Sequence, residues 1–213
     1  MKLIAYCESK GQRRYTDEDV PKAEEKIAMY SLGNKMLTEM GFESIGMDHF
    51  ALKTDSMYHS FKKGKLHRNF MGYTTTNTKV MIGLGVSSIS DSWNAFAQNE
   101  RVLEDYFARL DKNEIPILKG HILTDEDLII RQHILNIMCQ FETSWSDEKL
   151  QFSELPEVIV SLSEMEEDEL LILNENQLIV TEKGKPFVRN ICMAFDLHLK
   201  RKAPERQLFS MTI

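Results

Sequence analysis

Three short stretches of this 213-residue chain gather side chains capable of chemistry. In IGMDHFA (45–51), Asp48 and His49 are adjacent. A carboxylate beside an imidazole can hold or pass a proton, and the pair could face a cavity in that role. The plainer reading is a satisfied pair that fixes a strand end. In LHRNFMGYTTT (66–76), His67 and Arg68 could hold a carboxylate, since a guanidinium matches carboxylate geometry as a bidentate pair. A salt bridge to a nearby acid competes with that reading. Tyr73 in the same stretch reads first as a sheet residue and second as a substrate contact. In MIGLGVSSIS (81–90), Gly83 and Gly85 would let the backbone approach a ligand or another backbone closely.

The other candidates are weaker. His121, His133 and His198 lack ligand spacing in sequence, so surface or capping roles are expected. Cys7, Cys139 and Cys192 are far apart and odd in number, which argues against a zinc or redox site. Cys139 and Cys192 lie in apolar helical contexts and read as buried small hydrophobes, while Cys7 lies in a polar one and reads as partly exposed. No metal site is expected within this chain.

Elements must position these residues. A strand is expected at 2–6, with partners elsewhere. A helix begins near Asp19 and Pro21, presents Ala23, Ile27, Tyr30, Leu37 and Met40 inward, and ends at Gly41. Residues 42–51 read as one strand, and the helix–loop–strand order suits an α/β fold. Residues 53–65 read as a solvated helix or loop, 66–76 as extended structure with a turn near Asn77, and 80–89 as a strand. A second helix covers about 98–111, with Val102, Leu103, Tyr106, Phe107 and Leu110 on its apolar face. Residues 112–120 read as a linker, dividing the chain into 1–120 and 121–213. Thr124 and Asp127 form a capping box for the next helix. Pro156 to Met165 is a short helix, 164–169 a solvated turn, and 170–180 a hairpin. A last helix from Thr181 carries Phe187, Ile191, Ala194, Phe195 and Leu199 inward. This order suggests a small, mostly helical, winged-helix-like second domain.

Composition sets limits. Apolar residues make up 42% and charged residues 28%, an ordinary globular balance. A net charge of −7 disfavours non-specific nucleic-acid binding, which requires counterion-releasing basic surface. No apolar run reaches the roughly 18 residues of a membrane span. The apolar start is too short for a signal peptide, so a reducing, cytoplasmic location is expected.

The motifs IGMDHFA, LHRNFMGYTTT and IGLGVSSIS together closely resemble those of the oxygen-independent coproporphyrinogen III oxidases, radical S-adenosylmethionine enzymes of haem biosynthesis. RNICMAFDLHL (Arg189 to Leu199) is similar to that family's closing helix, and GQRRYTDEDVP to its loop before the barrel helix. The resemblance runs in order from about Gly11 to Ile213. It implies, over 1–120, the last part of an incomplete TIM-like radical S-adenosylmethionine barrel with a strand extension, followed over 121–213 by the helical domain with its hairpin. In the family, a 5′-deoxyadenosyl radical made at a 4Fe–4S cluster abstracts hydrogen from two propionates, which lose carbon dioxide to give the vinyl groups of protoporphyrinogen IX. The cluster's CxxxCxxC loop does not occur in this chain. The resemblance therefore implies a C-terminal portion, from a fragment, a truncation or a split gene. Such a portion would be inactive alone and would need an N-terminal barrel half.

By matching position, the resemblance makes Ile89 a contact of S-adenosylmethionine and Phe70 a lining residue of the active site. Met71 stands where the family has a glutamine, so an amide that donates and accepts is replaced by a thioether. With the resemblance, Asp48 and His49 become catalytic candidates beside Phe70 and Met71. Gly83 and Gly85 become possible adenosine contacts, and His67, Arg68 and Tyr73 candidate contacts of coproporphyrinogen III or a related tetrapyrrole. The basic last helix (Lys183, Lys185, Arg189, Lys200 to Lys202) reads as solvated first, propionate-binding second and nucleic-acid-binding third. The alternative function is a truncated relative that binds haem or a porphyrin without turnover, which Met71 and the histidines would serve. A third is a nucleic-acid-binding winged helix, against which the acidity counts.

Overall fold

Gly41, at φ +89°, ends the first helix in a conformation only glycine adopts without strain, and antiparallel pairs follow. The computed structural model describes residues 20–202. The strand expected at 2–6, Cys7, the cap at Asp19 and most of GQRRYTDEDVP lie outside the described residues.

Helix α1 spans Ala23–Glu39. Its expected inward face is only partly covered. Tyr30 is half-buried and donates its hydroxyl proton to the Met47 carbonyl at 3.1 Å, but Ala23, Ile27 and Met40 are exposed. Residues 42–51 form a hairpin, not one strand: β1 (Phe42–Gly46) pairs antiparallel with β2 (His49–Leu52). Met47 turns the chain at φ +51°. Tyr73 presses on Gly46 so closely that a Cβ there would lie 2.5 Å from its hydroxyl oxygen. Helix α2 (Ser56–Lys62) is capped by Asp55, whose carboxylate accepts from the Met57 N–H at 2.7 Å.

Residues 66–76 are extended as expected, again as a hairpin: β3 (His67–Asn69) pairs with β4 (Gly72–Thr74), with Phe70 and Met71 at the turn and Asn77 in coil. The strand expected at 80–89 is largely a loop, paired only through Met81 with Asp91. Its close approach is real: a Cβ on Gly83 would lie 2.7 Å from the Ile89 carbonyl oxygen. Strands β5 (Ile89–Asp91), β6 (Ala95–Asn99) and β7 (Ile117–Ile122) form a sheet in that order. Helix α3 (Leu103–Leu110) starts later than expected because 95–99 belong to β6. Its face Val102, Leu103, Phe107 and Leu110 is exposed. Residues read as a linker instead supply β7, which runs through position 120. Gly120 there packs its α-carbon face against the Phe96 carbonyl oxygen, 2.9 Å from where a Cβ would stand.

Helix α4 (Asp125–Gln140) opens with the expected box: the Asp127 N–H donates to Thr124 Oγ1 at 3.2 Å and the Thr124 N–H to Asp127 Oδ2 at 2.9 Å. Strand β8 (Glu142–Ser144) follows, then α5 (Leu155–Ser161) and α6 (Ser163–Glu167). The charge run from Glu164 is thus helical in its first part. The expected hairpin is β9 (Leu171–Asn174) and β10 (Gln177–Val180), with β8 added in the order β8-β10-β9. The last helix is broken into α7 (Val188–Ala194) and α8 (Leu197–Lys202).

One apolar core joins the hairpins to α4 and α7: Ile45, Leu66, Tyr73, Ile130, Ile137, Leu178, Ile191 and Phe195 are buried together. Each full-size aliphatic side chain so buried contributes about 1.5–3 kcal/mol. The fold mixes helix and strand as expected. Every ladder among the described residues is antiparallel, however, whereas barrel strands pair in parallel.

Candidate functional site

Strand alternation decides which side chains meet. His67 and Arg68 are neighbours on β3 and must point to opposite faces. His67 turns inward: it is buried near the Trp93 ring, 6.5 Å between centroids, and does not line the cleft described below. Burial lowers its pKa, and the nearby Arg131 charge lowers it further. A neutral imidazole is a poor carboxylate anchor, so of the two candidates only Arg68 is placed for that role.

Arg68 opens onto a cleft of about 620 Å³ between the β3–β4 hairpin and the β5–β7 sheet on one side and α4, α7 and α8 on the other. Its guanidinium lies 4.8 Å over the Tyr73 ring. Its Nη1 is buried and has no hydrogen-bond partner among the described residues. A buried donor without a partner costs about 1–3 kcal/mol, more when charged, so the site favours an arriving anion. Arg189 and the half-exposed His121 and His198 also line the cleft. Phe70 forms part of its lip, 53% exposed and edge-on to Phe96 at 5.0 Å.

Arg131 reaches the same cleft but is already paired. It donates to both Asp91 oxygens, at 3.1 and 2.6 Å, and to the Trp93 carbonyl at 2.9 Å. It also stacks over Trp93 and Phe96. Of the three guanidinium groups lining the cleft, that of Arg131 is neutralised by Asp91 and that of Arg68 has a free donor.

The remaining candidates are placed elsewhere. Asp48 and His49 are hydrogen-bonded at 2.9 Å on the exposed turn of the first hairpin, outside the cleft. The His49 ring packs on Tyr73 and against Gly72. Tyr73 is buried, and its hydroxyl already donates to the Met138 carbonyl at 2.7 Å, so its role is to hold the hairpin on α4. Met71 is 86% exposed at the turn tip. Ile89 is half-buried in β5, opposite Gln98. Gly83 and Gly85 are tied down through their carbonyls, which accept from Asn99 Nδ2 at 3.1 and 2.9 Å.

Three polar residues lacked a sequence signal for this site. His121, Asp127 and His198 come together at the cleft: His198 Nε2 lies 2.7 Å from Asp127 Oδ1 and His121 Nε2 3.6 Å from Oδ2. Burial works against the Asp127 charge, but bonds from the Thr124 N–H, His198 and the Thr124 hydroxyl outweigh it and hold the carboxyl at about 2. His133, expected at the surface or at a cap, is fully buried. Its Nε2–H donates to the Leu150 carbonyl at 2.7 Å, leaving Nδ1 to accept from the Thr143 hydroxyl at 2.8 Å. Cys139 and Cys192 are buried as expected, and burial pushes their thiols up to about 11 and about 12. Two described cysteines are fewer than the set of thiolates that holds an iron–sulfur cluster.

No family model matches the chain. Individual proteins do. A solved structure of coproporphyrinogen III oxidase (HemN) from Escherichia coli, a radical SAM enzyme, superposes with a TM-score of 0.81 and 34% identity, covering 88% of this chain and 44% of that one. The chain is thus homologous to a radical S-adenosylmethionine enzyme. Among curated proteins, it is 36% identical over 207 residues to the oxygen-independent coproporphyrinogen III oxidase of E. coli strain K12, covering 95% of this chain and 45% of the relative. It is 35% identical to the oxidase of that name from Thermostichus vulcanus, over 90% of this chain and 61% of the relative. The chain is a homologue of the oxygen-independent coproporphyrinogen III oxidases and spans about 45% of the E. coli protein's length, in its C-terminal portion. A non-catalytic haem or porphyrin binder finds no support in these relatives. No described helix is long and apolar enough to cross a membrane.

Proposed function

We propose that this chain acts as the C-terminal portion of an oxygen-independent coproporphyrinogen III oxidase, anchoring the carboxylates of coproporphyrinogen III or a close tetrapyrrole. The observation that carries the reading is the unpartnered Nη1 of Arg68 in a cleft lipped by Phe70. A propionate is the anion that such a guanidinium takes in bidentate fashion. Arg189 supplies a second cation on the opposite wall. Phe70 offers an apolar edge to a pyrrole ring, and Ile89 is the contact to S-adenosylmethionine.

In the oxidases the bound cofactors would supply the radical that removes hydrogen from a propionate side chain. The two described cysteines are too few to hold the cluster, and none of the chain's chemistry is routed through it. The chain's own work is to bind and orient the substrate and to exclude water. An N-terminal barrel half, from a longer or a separate chain, would cover the apolar faces that α1 and α3 leave exposed, and the residues up to about 120 would be the last part of that barrel with a strand extension, to which their antiparallel ladders would belong. Residues 121–213 would be the winged-helix-like domain closing over it. A cytoplasmic location accords with this reading.

Anaerobic iron–sulfur reconstitution of the purified chain with S-adenosylmethionine tests the division of labour. The expected result is no stoichiometric 4Fe–4S cluster and no 5′-deoxyadenosine. A stoichiometric cluster with turnover would overturn it.

A further inference from the structure

His121, Asp127 and His198 come from β7, the first turn of α4 and α8, and they form the group with metal-ligand chemistry among the described residues. One ligand atom from each lies within 4.8 Å of the others. The Asp127 carboxylate is buried and pre-aimed: its Oδ2 accepts from the Thr124 N–H and hydroxyl, both at 2.9 Å, leaving Oδ1 toward His198. Both imidazoles are half-exposed, stand at 88° to each other, and border the cleft.

We propose that this cluster is a binding site for a divalent transition-metal ion of the zinc type, held by Nε2 of His121, a carboxylate oxygen of Asp127 and Nε2 of His198, with a further position open to the cleft. Two imidazoles and one carboxylate suit zinc and its first-row neighbours, whereas magnesium and calcium prefer all-oxygen sets. Bonds of about 2.0–2.2 Å in a tetrahedron set ligand atoms about 3.3 Å apart. The present separations lie near that spacing, 2.7 Å from His198 Nε2 to Asp127 Oδ1 and 3.6 Å from His121 Nε2 to the other oxygen, Oδ2, so a small turn of the carboxylate is needed to give both rings a common oxygen. The two imidazole nitrogens close on the ion by rotation of exposed rings. Binding displaces the Nε2 proton that His198 donates to Asp127; the neutral ring then carries its one proton on Nδ1, and Nε2 is free to ligate. A structural tie between α4 and α8 needs only the Asp127–His198 bond. His121 arrives from a separate sheet and adds a second nitrogen that such a tie does not use.

The test is a zinc titration of the untagged chain, in competition with a chromophoric chelator, together with cobalt(II) substitution. One ion per chain is expected, with cobalt absorption characteristic of four-coordinate nitrogen and oxygen ligation. His121→Ala and His198→Ala should each weaken binding more than about tenfold. Both should keep wild-type circular dichroism, and His59→Ala at an exposed position of α2 should leave binding unchanged. Absence of saturable zinc binding, or equal affinity in the double His121→Ala, His198→Ala variant, overturns the proposal. A cobalt spectrum without imidazole ligation does the same and needs no variant.

Discussion

Arg131 on α4 and Asp91 on β5 form a two-pronged pair, at 3.1 and 2.6 Å, with side chains only 13% and 9% exposed. They are 40 residues apart in sequence and join the β5–β7 sheet to the helical core across the domain boundary expected near residue 120. Removing one partner leaves a buried charge. Asp91→Ala or Arg131→Ala should each cost about 3–5 kcal/mol in urea unfolding. Replacing both with apolar residues of similar size should cost less than the sum of the two. Additive losses would mean that the two groups act independently.

Arg68 is expected to behave in the opposite way. Its buried Nη1 is unsatisfied, so Arg68→Leu removes a penalty together with a cation–π contact. The urea midpoint of this variant should stay within about 1 kcal/mol of the parent or rise. A loss as large as that of Arg131→Ala would show that the guanidinium is structurally paired after all.

Tyr73 links the second hairpin to α4 through its bond to the Met138 carbonyl. Tyr73→Phe should cost about 0.5–1.5 kcal/mol, read from the urea midpoint. Burial raises the phenol's pKa above its ordinary value of 10.0. The folded state therefore keeps a proton that the unfolded state loses, and stability should fall as pH rises beyond about 10. The Phe variant should lose part of that slope; an unchanged alkaline slope would assign it to other groups.

His133 gives the acid counterpart. Its pKa is lowered, first by burial, with the bond to the Leu150 carbonyl opposing. His67 is lowered as well. Both are neutral when folded, while the unfolded chain takes up protons near pH 6.5. Their contribution is present above that pH and is lost as pH falls from about 6.5 toward the lowered folded values. Urea midpoints compared at pH 7.5 and pH 5.5 should show this loss, and His67→Gln should reduce it. A flat profile between those two values contradicts the assignment.

Local chemistry was the legible part of the sequence. Thr124 and Asp127 signalled the start of α4, Gly41 the end of α1, and Asn174 to Asn176 the last hairpin, because each device acts within a few residues. The first hairpin was hidden because its turn falls at Met47, a residue with no turn preference held at positive φ by its surroundings. Strand β7 read as a linker because it carries Lys119, Gly120 and His121 and is exposed along its length. Of the candidate site, Arg68 and Phe70 were visible by type and by resemblance. Opposite facing removed His67, and an exposed turn removed Asp48 and His49. The meeting of residues 121, 127 and 198 depends on how α8 returns to α4, and no local pattern encodes that.

The most direct measurement is fluorescence quenching on titration with coproporphyrin III, the stable oxidised form of the proposed substrate. The chain should bind it saturably, and Arg68→Leu should weaken binding at least tenfold, the scale of a lost charge-assisted hydrogen bond of about 1.5–3 kcal/mol. Esterifying the carboxylates should have the same effect on the parent protein. Absence of saturable binding, or equal affinity in parent and Arg68→Leu, would contradict the account.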